Sequence, residues 1–344
     1  MNSLKKAWSS RREVADALVY WSGAGRVFEA LAKPEGAIVL MFHSVADSEH
    51  AAYIDPPNRI NPALFESQMA FLAKHRSVVS LPHMLAALRA GESPPSGTVC
   101  ITFDDGYLDN LTEAAPILHK YGLPATVFLA TGYVERGETQ WADRLHTMLE
   151  QRTASGLRIP ELGIDEADVG AGARRYGVTR KIHAALLTAL YDERQRLLGE
   201  IERQLAPRTL GPRVTMTWDD ARELQSKYPL FSFGGHTREH IDLRTHGGET
   251  ARAQIEGCAQ DIRRELGIES EVFSFPYGRW CAETQAIARD AGWKFAVGAG
   301  NDFRIGASSD RFALPRVNAP KTMTELRFRT SGAYPASLRV LGLA

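Results

Sequence analysis

The sequence predicts an α/β domain of parallel βαβ units, about seven of them, a number that favours a closed barrel over an open sheet. Three observations lead there. Short apolar runs alternate with helical segments from about residue 37 to residue 317. The length, 344 residues, accommodates one large α/β domain with an insertion. Between about residues 136 and 212 the alternation gives way to a charged stretch rich in arginine and glutamate, which reads as a helical insertion lying over one face.

The elements follow in order. Residues 1–36 carry Lys5, Lys6, Arg11 and Arg12, then Val14, Ala17, Leu18, Trp21, Phe28 and Leu31 at helical spacing. They predict an N-terminal amphipathic helix packed on the domain or guarding a barrel end, with peripheral contact to a membrane surface as the alternative. Asp16, Arg26 and Glu29 interrupt the apolar stretch, which argues against a signal peptide and a spanning helix, so the expected compartment is the cytoplasm. Residues 37–42 (A-I-V-L-M-F) read as a buried strand that opens the domain of residues 37–344. Asn61 then Pro62 is a cap followed by a favoured first helical residue, with Leu64, Phe65, Met69 and Leu72 on the apolar face. Val78 and Val79 suggest a short strand, 82–89 a helix, 98–103 (T-V-C-I-T-F) a strand and 110–121 a helix ended by Gly122, Leu123 and Pro124. Residues 125–130 form the next strand.

Inside the insertion, 141–149 and 182–205 are helical in period. Thr217-Trp218-Asp219-Asp220 looks like a capping box opening a helix to about Ser226. Then come strand 230–233, helix 249–266, strand 272–275, helix 281–291, strand 295–297 and a last strand within 312–317.

Hydrophobic residues at 44% and charged residues at 24% fit a soluble globular protein. Lysine plus arginine balances aspartate plus glutamate at 41 each, so the basic face that nucleic acid requires is not expected, and a glycan is an easier partner. Cys100, Cys258 and Cys281 lie far apart, giving neither a disulfide framework nor a cysteine zinc site.

Chemistry gathers where the strands end. Asp104 and Asp105 follow one strand, His236 another across two glycines, Pro276 and Tyr277 a third, and His43 the first. In parallel α/β folds catalytic groups collect at the carboxyl ends of strands. Alone, D-D-G is often a turn and H-x-x-x-H (His236 to His240) often two surface histidines. Together they offer one carboxylate and two imidazoles, a set suited to zinc with an open position for water, with cobalt, nickel or manganese able to use the same ligands.

Thr102-Phe103-Asp104-Asp105-Gly106, His236-Thr237-Arg238-Glu239-His240 and Phe275-Pro276-Tyr277-Gly278 resemble, in order and spacing, the first three motifs of the polysaccharide deacetylase (NodB-homology) family. The resemblance covers roughly residues 37–317 without the insertion. It implies a distorted (β/α) barrel, usually of seven strands, that hydrolyses N-acetyl groups, a linear amide, on chitin-like oligo- or polysaccharides. It also implies Asp104 as catalytic base, Asp105, His236 and His240 as metal ligands, and the backbone N–H of Tyr277 as an oxyanion donor. Adjacent residues at a strand end point in different directions, so one carboxylate can hold the metal while its neighbour takes a proton.

Two departures stand out. Many members carry a late histidine as general acid, but no histidine follows His246; the acid falls to His43, which resembles the early histidine of the biofilm-glucosamine deacetylase branch. Ser274 stands where many members have an arginine, and Arg316, also after a strand, is the expected partner of Asp104 instead. Trp141 and Trp280 are candidates for stacking on sugar rings, with core packing as the other reading. Beside N-deacetylation stand an O-acetyl esterase acting on a glycan and a non-catalytic glycan-binding barrel. A metalloprotease is disfavoured because no H-E-x-x-H is present.

Overall fold

A computed structural model describes residues 36–47, 49–170, 172–299 and 304–331; the N-terminal helix expected over residues 1–36 lies outside them but for its last residue. The strands in chain order are β1 (Ile38–Phe42), β2 (Ser44–Val45), β3 (Arg59–Ile60), β4 (Ser77–Val78), β5 (Thr98–Phe103) and β6 (Ala125–Leu129). They continue with β7 (Gly156–Ile159), β8 (Ile164–Asp168), β9 (Phe231–Gly235), β10 (Val272–Ser274), β11 (Phe295–Ala299) and β12 (Leu314–Asn318).

Seven of them close a parallel ring in the order β1, β12, β11, β10, β9, β6, β5 and back to β1, which is the barrel the alternation predicts. It is distorted at β5. There β4 pairs with the first residues (Ser77 with Thr98, Val78 with Val99) and β6 with the last (Thr102 with Thr126, Phe103 with Val127). The ring is thinnest between β9 and β10, where the register rests on Phe273 with Gly235.

Strands covered on both faces read as unbroken apolar runs, which is why β5 and β6 are buried throughout. Their side chains divide by parity. Leu40, Ile101, Val127, Phe273 and Ala296 join the core shared with the surrounding helices, such as Phe65 and Met69 of helix Pro62–His75. Val39, Cys100, Phe128, Val297 and Leu314 form a second core, the barrel interior, against helix Leu81–Arg89. Two residues further along each strand, this inward row turns polar: Cys100 leads to Thr102 and Asp104, Val272 to Ser274, and Leu314 to Arg316. The site therefore caps the interior stack.

Local signals hold at the helix ends. The Asn61 side chain accepts the Ala63 N–H at 2.9 Å, and Thr217 with Asp220 forms the expected capping box. Other boundaries move. Strand β9 runs through Gly234 and Gly235 rather than stopping before them. A side chain at Gly234 would meet Phe128, and one at Gly235 would meet Trp293 and Cys258. The helix expected over 110–121 begins as a wider turn, Asn110–Ala114, before Ala115–Lys120. Pro116 has no N–H to return to the preceding turn.

The insertion departs most. The period over 182–205 resolves into two helices, Gly172–Thr188 and Tyr191–Leu205, broken where Leu190 is extended. An antiparallel hairpin, β7 with β8, was not expected at all. The segment builds its own core from Trp141, Leu145, Met148, Ile182, Leu198 and Ile201, against which Tyr277 of the third motif packs.

Candidate active site

Asp104 and Asp105 share a strand end but not an environment. The Asp104 N–H extends the ladder to Phe42 carbonyl at 2.9 Å, which keeps its side chain on the inward row. Asp105 (φ 74°) and Gly106 (φ 76°) then reverse the chain. A left-handed conformation is costly for any residue with a Cβ, so the turn is held by its surroundings.

Asp104 is gripped bidentately by Arg316, with both guanidinium N–H···O distances at 2.6 Å. Arg316 also donates to Ser274 Oγ at 2.8 Å and to Thr102 Oγ1 at 3.3 Å, and its Cζ lies 5.2 Å from the Phe128 ring centroid. Ser274 thus occupies the arginine's usual position while supporting the arginine that comes from β12. Burial alone would raise the Asp104 carboxyl, but the Arg316 charge and hydrogen bonds, with His236 and His43, hold it well below the ordinary carboxylate range.

Asp105 is buried, and its Oδ1 makes no hydrogen bond. It lies 3.1 Å from His240 Nε2 and 3.6 Å from His236 Nε2. Burial, then the charges of Asp104 and Asp143, push its carboxyl well above the ordinary value.

Both histidines have their other nitrogen committed. His236 Nδ1 donates to the Ser274 carbonyl at 2.8 Å, since a carbonyl can only accept. Tyr277 Oη donates to the His240 carbonyl at 3.0 Å and so accepts from His240 Nδ1 at 3.0 Å. The tautomers that result leave both Nε2 lone pairs facing Asp105. Burial lowers both imidazoles, keeping them neutral. The three ligand atoms lie within 4.8 Å of one another. A buried carboxylate oxygen without a donor, facing two imidazole lone pairs, is the arrangement a divalent cation resolves. The residues fit the metal that the motifs imply.

The histidine pair is not helical. Thr237 (φ 63°) and His240 (φ 46°) are left-handed, and the rings meet at 4.9 Å between centroids. The insertion holds this loop. Arg194, fully buried, donates to the Glu239 carbonyl at 2.7 Å, to the Leu186 carbonyl at 3.0 Å and to Tyr133 Oη at 3.1 Å, with Trp141 at 5.4 Å as a cation–π partner. Trp141 Nε1 in turn donates to Tyr277 Oη at 3.2 Å. Trp141 is therefore a buried support for the histidine loop and not a sugar platform. Trp280 is partly buried, packing on Phe275 and over Gly298.

His43 is partly buried at the end of β1, near enough to Asp104 for their charges to interact. Burial pushes its imidazole down to about 4; Asp104 opposes this, while Arg316, His236 and Lys321 reinforce it. Its backbone is fastened to the first motif. Asn110 donates to the His43 carbonyl at 2.8 Å, and Asp109 accepts from Ser44 Oγ at 2.5 Å and Val45 N–H at 3.0 Å. His246 turns toward the insertion, donating through Nε2 to the Thr188 carbonyl at 2.8 Å.

Residues 91–167 and 206–296 match the profile of the polysaccharide deacetylase family. YxkH of Bacillus subtilis, named as a candidate polysaccharide deacetylase, is 34% identical over 98 residues. That stretch is 28% of this chain and 33% of the relative, so the match spans about a third of YxkH. Among solved structures, the Streptococcus pyogenes deacetylase PplD in complex with acetate aligns at a TM-score of 0.57 and 19% identity, covering 87% of this chain and 99% of that one. IcaB from Ammonifex degensii aligns at 0.55 and 17%, covering 88% and 99%. Both likenesses are of fold.

Proposed function

The chain belongs to the polysaccharide deacetylase family, and from that premise we propose that it is a metal-dependent hydrolase removing N-acetyl groups from an amino-sugar glycan. One observation carries the reading: adjacent aspartates, one locked to Arg316 and the other facing two imidazole lone pairs.

In this reading Asp105, His236 and His240 hold a divalent ion, zinc being the best match to one carboxylate and two imidazoles. Such an ion, when bound, polarises an acyl oxygen and makes water acidic enough to attack near neutral pH. Asp104, ionised throughout the working range, accepts the proton of the attacking water. Arg316 keeps both carboxylate oxygens of this base in a fixed plane. The Tyr277 backbone N–H donates to the acyl oxygen as charge builds there. His43 rests neutral; the proton that Asp104 takes from water passes to its imidazole and on to the sugar nitrogen as the carbon–nitrogen bond breaks, giving acetate and a free amine. The early position of His43 agrees with the branch of the family that acts on biofilm glucosamine polymers.

Acetate release from N-acetylated chitooligosaccharides, with an O-acetylated glycan as comparison, tests this. We expect release from the amide substrate, its loss on chelation and its return with zinc. Undiminished release by enzyme shown to be metal-free overturns the metal role. Near wild-type turnover by a His43→Ala variant with full metal occupancy overturns the acid assignment.

A further inference from the structure

The chemistry above leaves unused a cleft of about 390 Å³ at the same end of the barrel. His43 is common to both. It lines this cleft with Asn58 and Arg59, which precede the first long helix, with Asn318 at the end of β12, and with Lys321 and Arg329 beyond it. A glycan whose acetamido nitrogen meets His43 therefore lies beside these side chains.

Their charges do not balance. Three cations, Arg59, Lys321 and Arg329, line the cleft with one carboxylate, Glu325. Glu325 is occupied: it pairs with Arg329 and accepts the Lys321 backbone N–H at 2.6 Å. The Lys321 ammonium is seated on the carbonyls of Pro57 at 3.1 Å and Arg59 at 3.0 Å, which fixes its position without neutralising it. Arg59 is partly buried, and among the described residues its guanidinium has no hydrogen-bonded acceptor. Asp55 lies close enough for the two charges to interact, yet makes no ion pair with Arg59. A fixed ammonium beside an uncommitted guanidinium fork, in a concave wall, attracts an anionic oxygen group more strongly than solvated surface cations do.

We propose that this cleft is a subsite for an anionic sugar residue, so that the preferred glycan carries a carboxylate or phosphate next to the acetamido sugar. The proposal rests on the deacetylase reading. The two anionic groups share the chemistry the cleft recognises, and separate substrates distinguish them.

The test compares three tetrasaccharides containing N-acetylglucosamine: neutral chitotetraose, one alternating with glucuronate, and one bearing 6-phosphate. For one or both anionic substrates we expect kcat/KM at least about tenfold above chitotetraose at low salt, the size of one charge-assisted hydrogen bond. That ratio should shrink with added salt and fall toward one in Arg59→Ala. It should be kept in Lys294→Ala, an exposed cation at the opposite end of the barrel. A ratio of one or below in the wild type, unmoved by Arg59→Ala, overturns the subsite while leaving deacetylation intact. Calorimetric affinity for the same tetrasaccharides tests the subsite apart from turnover. If none of them releases acetate, the deacetylase reading fails. The subsite is then supported by anionic binding that Arg59→Ala abolishes, and overturned by equal binding of all three.

Discussion

The barrel and the insertion each bury an arginine beside the site, and they treat it in opposite ways. Inside the barrel, Arg316 meets a carboxylate, Asp104, through two parallel hydrogen bonds. In the insertion, Arg194 meets two carbonyls, a hydroxyl and an indole face, and forms no ion pair among the described residues. The insertion also buries a carboxylate, Asp143, which takes the Tyr107 hydroxyl at 2.7 Å and the Asp55 N–H at 2.8 Å, with no cation bonded to it among the described residues. The barrel thus sets the ionisation of Asp104, whereas the insertion fixes the position of a loop. The first is a matter of charge and the second of geometry.

Removing each arginine should separate the two roles. Arg316→Met strands a buried carboxylate and is expected to cost about 3–5 kcal/mol of stability, with turnover falling further than folding explains as Asp104 loses its low pKa. Denaturant midpoints and acetate release measure both. Arg194→Met strands only neutral acceptors, so the expected loss is smaller, about 1–3 kcal/mol. Its characteristic effect is weaker metal binding, read by chelator competition, because the carbonyl next to His240 is released. Equal stability losses in the two variants would erase the distinction.

Tyr277→Phe sharpens it further. The hydroxyl that orients His240 and takes the Trp141 N–H disappears while the ring stays. Metal affinity should drop about tenfold, the lower end for such a support, with little change in the denaturation midpoint of the metal-free protein.

The remaining expected effect is one of pH. Burial raises the Asp143 carboxyl from 3.8 to about 7, with hydrogen bonds from Tyr107 and Asp55 opposing the rise. Between those values the folded chain holds a proton that the unfolded chain has lost, so stability falls as pH rises through this window. Asp104 is displaced the other way; its contribution is lost only as pH falls below the ordinary carboxylate range. Asp143→Asn should therefore flatten the decline in urea midpoint between pH 4.5 and 8, and an unchanged slope would remove Asp143 as its source.

Much of the barrel was legible because strands buried on both faces must be apolar and because Asn61 and Thr217 announce their helices. The site was legible in kind, since Asp104, Asp105, His236, His240 and Tyr277 are unusual residues at strand ends, and the structure brings Arg316 to Asp104. What the sequence concealed depends on the chain folding back on itself. Hairpin β7–β8 buries little besides Leu157, Ile159 and Ile164, too sparse a pattern to read. The hold of Arg194 on the Glu239 carbonyl spans 45 residues. Its trace was a charge on an apolar stripe, three and four residues before Leu197 and Leu198, where a solvated arginine has no place. Strand β9 was cut short because glycine weakens a strand reading, although close packing demands it there.

Four of the five described non-glycine residues with positive φ are Asp105, Thr237, His240 and Tyr277, all in or beside the proposed metal site. This bears on the choice of inactive proteins for trapping a bound glycan. Alanine at Asp105 or His240 combines loss of the ligand with a backbone conformation that alanine resists, so a dead enzyme would also be a misshapen one. Asparagine tolerates that conformation better. An asparagine replacement at Asp105 is therefore the better decoy: a site emptied of chemistry whose walls still stand where the substrate expects them.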